Sequence, residues 1–418
     1  MNGTPAADVQ ETVLAACAPG RSRAVLIEGA PGLGKTTLLD VVAREAASGG
    51  AVVLRAGGGG RAQPYGVMRQ LLDGSAELER TGLFDGDTAA AFCGELLGLA
   101  RRRPVVLCVD DVQGADAQSL HALRYVVRYV RTAPVVVAAT RATYGGSWQE
   151  MFTAEVLRRP QVQRVRLGLL GVGDVERVLE GRLAGWGEGA QVHAAARLHR
   201  LSGGNPLLLR ALLAEDGLVR QPSVDGAFGR AVADCLRRSG AAAVAAARAL
   251  AVLGGHPVEP ALLAELVDGG ASEALDGLGA LRACGLLDGL ARREPVVRAA
   301  TLADCDAGWR ARLGLRAAHA LRATGASAVA VAGPLLALGA DGVRGSVGAA
   351  DRLLLVRTAR ELVEAGRVLR EQGRRDRAKA LLRAARRLSL QAGEAGEVVV
   401  GDEGRVGWRG ERLTGAVA

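Results

Sequence analysis

The sequence almost lacks lysine. Of 53 basic residues only Lys35 and Lys379 are lysines, and arginine supplies the rest. Aromatic residues make up only 3%, so the cores must be built from Ala, Leu and Val, which favours helices that cross closely. The six cysteines (Cys17, Cys93, Cys108, Cys235, Cys284, Cys305) contain no CxxC pair. That spacing excludes a zinc ribbon and a CxxC redox pair and suits reduced thiols in a cytoplasmic protein. No charged-then-apolar leader opens the chain. The most apolar runs, 240–255 and 327–339, are interrupted by Arg248 and by Gly333-Pro334, so no membrane span is expected. The five histidines are dispersed, and neither a metal cluster nor a Ser/His/Asp arrangement is suggested.

What remains is a long, apolar, basic chain. Its 418 residues suit roughly two to four domains. The formal charge of +9 invites a nucleic-acid reading. However, the excess is almost all arginine, spread along the chain rather than gathered in a stripe, as coding bias in a GC-rich genome would produce.

Short apolar runs at 24–28, 52–54, 104–112 and 134–142 alternate with helical stretches at 35–47, 88–100 and 116–131. That alternation predicts a parallel α/β sheet with crossover helices. Beyond about residue 150 the β-branched runs stop. Residues 172–215 have helical spacing broken by Gly203-Gly204-Asn205-Pro206. Residues 226–300 predict a small helical domain with short extended segments near Gly285-Leu286-Leu287 and Pro295-Val296-Val297, as in a β-wing. From about 305 the pattern is helical, and the Gly-rich tail 391–418 is expected to be loose.

The retained lysine falls in Gly29-Ala30-Pro31-Gly32-Leu33-Gly34-Lys35-Thr36. This is a full G-x-x-x-x-G-K-[ST] phosphate loop between a predicted strand and a predicted helix. Glycines let the loop curl so that the N–H groups of Gly29, Gly32, Leu33, Gly34, Lys35, Thr36 and Thr37 converge on phosphates. The helix adds the positive end of its dipole. The Thr36 hydroxyl suits Mg²⁺. Lys35 offers a compact charge on a flexible stem, which arginine's planar fork does not replace. ATP or ADP with Mg²⁺ is therefore the expected cofactor set.

The partner motif is Val105-Val106-Leu107-Cys108-Val109-Asp110-Asp111, an apolar strand ending in acids. Asp110 is expected to hold Mg²⁺, and Asp111 to act as the general base on the attacking water. Strand-end acids can also be plain turn residues. Arg141 ends the next strand, at the edge of the sheet where ligands bind, and can reach a γ-phosphate from there. The catalytic set is thus Asp111, Lys35 and Arg141.

The segments VDDVQGADAQSLHALRYVVR (109–128) and LSGGNPLLLRALL (201–213) give the chain a resemblance to STAND-type P-loop ATPases. More narrowly, it resembles the large ATP-binding regulators of the LuxR family. The resemblance implies an ATPase domain (1–160), a helical lid (161–225), a winged-helix-like domain (226–304), tetratricopeptide-like helices (305–390) and a flexible tail (391–418). It implies that Arg141 is a sensor arginine and that Pro206 lies against the base. Leu362, Gly366, Leu369, Ala378, Leu382 and Ala385 fit one tetratricopeptide repeat. The sequence departs from the family in three places. Glu294 stands where a histidine is usual, the opening residues lack a Gly-Arg-Glu segment, and 57–66 lacks an acid. None of the 418 residues resembles the family's DNA-binding helix-turn-helix, so DNA is a partner only if that domain is supplied.

The function implied is a slowly hydrolysing, nucleotide-controlled regulator. Its expected partners are ATP, an inducer or protein on the helical repeats, and copies of itself. A steadily turning ATPase and a non-hydrolysing scaffold are the alternatives.

Overall fold

The computed structural model describes residues 24–59, 63–74, 88–129, 133–143, 162–183, 186–218, 220–254, 259–288, 291–292, 295–336, 348–392, 397–400 and 406–409. The expectations for the N-terminal segment, residues 60–62 and Glu294 lie outside these residues. Two compact units are present: Met1–Gly240 with Ala280–Leu286, and Ala241–Gly279 with Leu287–Ala418.

In the first unit, β1 (Ala24–Gly29) leads into α1 (Lys35–Ser48), then β2 (Val52–Gly57), α2 (Gly66–Asp73) and α3 (Thr88–Ala100). Then follow β3 (Val105–Asp110), α4 (Ala117–Tyr129), β4 (Val135–Ala142) and β5 (Val162–Arg166). All five strands are parallel, in the order β2-β3-β4-β1-β5. β4 is thus inserted between β1 and β3.

Period-two alternation sends Val25, Ile27, Val106, Cys108 and Ala138 to one face, where Leu39 and Val42 of α1 cover them. Leu26, Leu54, Leu107 and Val109 face the other side and pack on Met68, Phe92, Leu96 and Leu123 of α2–α4. Sheets buried on both faces need near-continuous apolar strands, and each fully buried large side chain contributes about 1.5–3 kcal/mol.

The β5 sequence, Val162-Gln163-Arg164-Val165-Arg166, was not expected to form a strand. It is the sheet's edge, half exposed and mixed in polarity, so it has no apolar run. Its pairing with β1 carries the sheet past residue 160.

Among the described residues of this unit, α5 (Val172–Leu179), α6 (Glu188–Ser202), α7 (Pro206–Ala214) and α8 (Ala227–Arg238) follow the sheet.

The second unit is largely helical. It contains α9 (Ala241–Leu253), α10 (Pro260–Leu266), most of α11 (Gly270–Ala283), α12 (Pro295–Ala303), α13 (Ala307–Ala323), α14 (Ala328–Leu336), α15 (Ala349–Glu371) and α16 (Arg375–Gln391). The short strands β6 (Leu287–Asp288) and β7 (Ala291–Arg292) pair antiparallel. Pro295-Val296-Val297 opens α12 instead of forming an extended segment, because proline is well tolerated in a first helical turn.

Small residues set the packing. A Cβ on Gly277 of α11 would lie 2.4 Å from the Ala242 carbonyl oxygen and 2.7 Å from the Ala246 Cβ of α9. Gly366 of α15 likewise faces Leu382 of α16, at 3.3 Å from a Cβ. In the segment expected to be loose, β8 (Glu397–Val400) and β9 (Val406–Arg409) pair antiparallel. Val398, Val399, Val400 and Trp408 are residues with high strand preference.

Candidate functional site

The site lies at the C-terminal ends of β1, β3 and β4. After Gly29 the chain turns through residues 30–34 and enters α1 at Lys35. Gly32 and Gly34 have φ of 82° and 90°, the left-handed region that disfavours a side chain. Gly34 caps α1 with no side-chain hydrogen bond, and the first turn holds no acid. The helix therefore presents its N–H groups and positive end without side-chain competition.

Lys35 is 8% exposed. Its Nζ donates to the Ala30 carbonyl at 3.1 Å. Burial lowers its pKa below the usual lysine value, while Asp111 and then Asp110 oppose that shift. Both acids therefore act on Lys35 electrostatically.

Asp110 Oδ2 accepts a 2.8 Å hydrogen bond from Thr36 Oγ1. Its Oδ1 accepts from the Thr140 hydroxyl of β4 and from the Asp111 N–H at 3.1 Å. The Asp111 N–H also donates to Thr140 Oγ1 at 2.8 Å. Asp111 itself is left-handed, with φ 49° and ψ 51°, a conformation that aspartate tolerates better than most residues. Gln113 Nε2 holds Asp111 Oδ1 at 2.9 Å, and Gln113 Oε1 accepts the Ala142 N–H at 3.1 Å. Gln113 thus ties the ends of β3 and β4 together. Gly58 leaves β2 so close by that a Cβ there would lie 2.0 Å from the Asp111 carbonyl oxygen.

Arg141 takes a different direction from Thr140, as strand alternation requires. Its Nη1 meets Glu28 Oε1 at 3.3 Å, and its Nε is buried with no partner among the described residues. Glu28 is 2% exposed and also pairs with Arg164 and Arg166. Sequence reasoning missed Glu28, although a lone acid inside an apolar run before the loop was a usable signal, since buried charges need partners.

The segment 203–206 lies against the loop. Pro206 occupies the first turn of α7, and Asn205 caps that helix through the Leu207 and Leu208 N–H groups. Among the described residues, hydrogen bonds to the phosphate loop come from Asn205 in this segment and from Leu207 just after it. The helix break at this stretch was readable, but its grip on the loop was not.

The donor set fits a Mg²⁺–nucleotide. Thr36 and Asp110 offer hard oxygens, and Mg²⁺ takes one or two protein carboxylates with phosphates and waters. The loop amides and Lys35 offer donors for phosphate. Among the described residues, no group of three or more His, Cys, Asp and Glu side chains could hold a metal, and no helix is long and apolar enough to cross a membrane.

A parallel sheet that ends β1 in a glycine–lysine loop and β3 in paired acids defines a P-loop nucleotide-binding domain. Within it, residues 8–138 match the AAA ATPase domain family, a class that binds nucleotide. No curated protein matches the chain.

The solved structures with distant similarity include the following three. One is a Signal Transduction ATPase with Numerous Domains (STAND) protein with a tetratricopeptide repeat sensor, from Pyrococcus horikoshii. It is 16% identical over 90% of this chain and 57% of that one, with a TM-score of 0.37. This chain therefore spans less than two thirds of that protein's length. The second is the ORC2 protein of Aeropyrum pernix with ADPNP and ADP, 16% identical over 77% of this chain and 94% of that one, TM-score 0.40. The third is domain III of the replication initiation protein DnaA from Thermotoga maritima, 15% identical over 56% and 93%, TM-score 0.35.

Proposed function

We propose that this chain is an ATP-binding regulatory switch that hydrolyses slowly, of the STAND type and more narrowly of the LuxR-regulator type. The observation that carries the reading is one cluster. Lys35, Thr36, Asp110 and Asp111 converge, and the segment 203–207, at the start of α7, bonds directly to the phosphate loop before Lys35. A site joined to a lid is suited to converting nucleotide state into domain position.

In this proposal ATP supplies the triphosphate whose terminal bond is cleaved. The amides of Gly29, Gly32, Leu33, Gly34, Thr36 and Thr37 and the Lys35 ammonium bind its phosphates. Thr36 and Asp110 hold Mg²⁺. Asp111, fixed by Gln113, orients the water and accepts its proton. Arg141 serves the γ-phosphate only after leaving Glu28, so the Glu28 pairing belongs to a resting state. Pro206 borders the base.

The order of segments 109–128 and 201–213 supports the LuxR-type assignment. On the same reading, residues 226–304, which include β6 and β7, form the winged-helix-like part. The α15–α16 hairpin, closely packed at Gly366, forms a tetratricopeptide-like unit for an inducer or protein.

The test is the nucleotide content and turnover of the purified chain. Tightly retained ADP with turnover far below typical enzyme rates supports the switch. Rapid steady turnover would make it an ordinary ATPase, and binding with no hydrolysis would make it a scaffold. A sequence-selective gel shift at physiological salt by this chain alone would overturn the expectation that DNA binding needs a further domain.

A further inference from the structure

The helical lid holds the phosphate loop from behind, and it does so at two successive peptides. Asn205 is fully buried, and its Nδ2 donates to the Pro31 carbonyl at 3.1 Å and to the Cys284 carbonyl at 2.9 Å. Its Oδ1 accepts the Leu207 and Leu208 N–H groups at 3.0 and 3.5 Å. The Cys235 thiol of α8 donates to the same Pro31 oxygen at 3.4 Å. One residue further on, the Gly32 carbonyl accepts the Leu207 N–H at 3.2 Å. The fit is close, since a Cβ on Gly32 would lie 2.5 Å from Asn205 Oδ1.

A trans peptide carries its C=O and N–H on opposite sides. Fastening the carbonyls of Pro31 and Gly32 to the lid therefore turns the N–H groups of Gly32 and Leu33 the other way. Two successive N–H groups held facing one side form an anion-binding nest. We propose that Asn205, with Cys235, is a positioning latch: the lid holds the phosphate-binding amides in place, so that lid displacement and loss of phosphate affinity are one event. Coupling of this kind is reciprocal, so bound phosphate also holds the lid. Contact with Cys284 and burial push the Cys235 thiol up, which keeps it an S–H donor. The inference rests on nucleotide binding at the phosphate loop.

Asn205→Asp separates the latch from the helix cap. Aspartate still accepts the Leu207 and Leu208 N–H groups, but it has no hydrogens for Pro31 and Cys284. Cys235→Val removes the second donor at similar size, and Cys235→Ser restores one. Release of a fluorescent ADP analogue, followed by stopped flow, is the readout. We expect roughly tenfold faster release for Asn205→Asp, a smaller acceleration for Cys235→Val, and a near-native rate for Cys235→Ser, in line with the loss and recovery of one or two hydrogen bonds. Nucleotide-free melting temperatures separate this from general damage, and in Cys235→Val and Cys235→Ser they should match each other. Native release rates in both Asn205→Asp and Cys235→Val, in a chain whose Lys35→Ala variant no longer binds, would overturn the latch and leave the nucleotide site standing. An unmodified chain that retains no ADP analogue would overturn both.

Discussion

The sheet of the first unit and the helices of the second are held together by different means. Around the sheet, specific residues carry the structure. Glycines are required at Gly32 and Gly34 by backbone conformation, Thr140 is required by its hydroxyl, and Asp110 by its two oxygens. In the second unit, the crossing of α9 and α11 asks only for smallness at Ala242, Ala246 and Gly277. Arg248 stacks its guanidinium 5.2 Å from the centre of the Trp309 ring, and ion pairs such as Arg322–Glu361 and Arg357–Glu361 tie helix surfaces together. Chemistry restricts residue identity, whereas close packing restricts only volume. The first unit therefore reveals its role, and the second reveals only its shape.

Perturbations should reproduce that contrast. The largest expected effect is Lys35→Ala, which should abolish ATP binding by titration calorimetry; native affinity would remove the chemical distinction between the units. Next comes Asp111→Asn. It should leave binding intact and slow single-turnover hydrolysis by about a hundredfold, the lower range for a lost general base. A native rate would reduce Asp111 to a turn residue.

In the second unit the matching test is Gly277→Ala. Helix propensity alone favours alanine by about 1 kcal/mol, but the Cβ meets the α9 backbone, and overpacking costs about 1–3 kcal/mol. A lower melting temperature is expected, and a higher one would show that the crossing is loose.

The smallest effect concerns pH. Burial lowers the Lys35 pKa, and its charged form binds phosphate. ATP affinity should therefore fall as pH rises toward the lysine range, beginning at lower pH than for an ordinary lysine. Affinity flat through that range would show that its charge is not used.

Much of the first unit was readable because a strand buried on both faces must be an apolar run, as β1, β3 and β4 are. β5 escaped notice because an edge strand may carry Gln163, Arg164 and Arg166 toward solvent. The loop and the acid pair were readable because each is contiguous in sequence. Asn205 was readable only as part of a helix break. Its bond to Pro31 joins residues far apart in the chain, and no local pattern encodes that. Glu28 failed in a similar way: its meaning depends on Arg141 and Arg164, which arrive from two other strands. In the second unit, Pro295-Val296-Val297 shows the opposite difficulty, since a short apolar stretch after proline suits a strand and a first helical turn equally.

The insertion of β4 between β1 and β3 has a mechanical corollary. The loop and the acids are spaced two strand widths apart, roughly 9–10 Å between backbones, and main-chain pairing sets that interval whatever the side chains are. Exchanges among the valines and alanines of the sheet can soften its interior but cannot retune the gauge. What the gap is able to grasp is left to the residues at the strand tips and to those that hold the loop from the lid side.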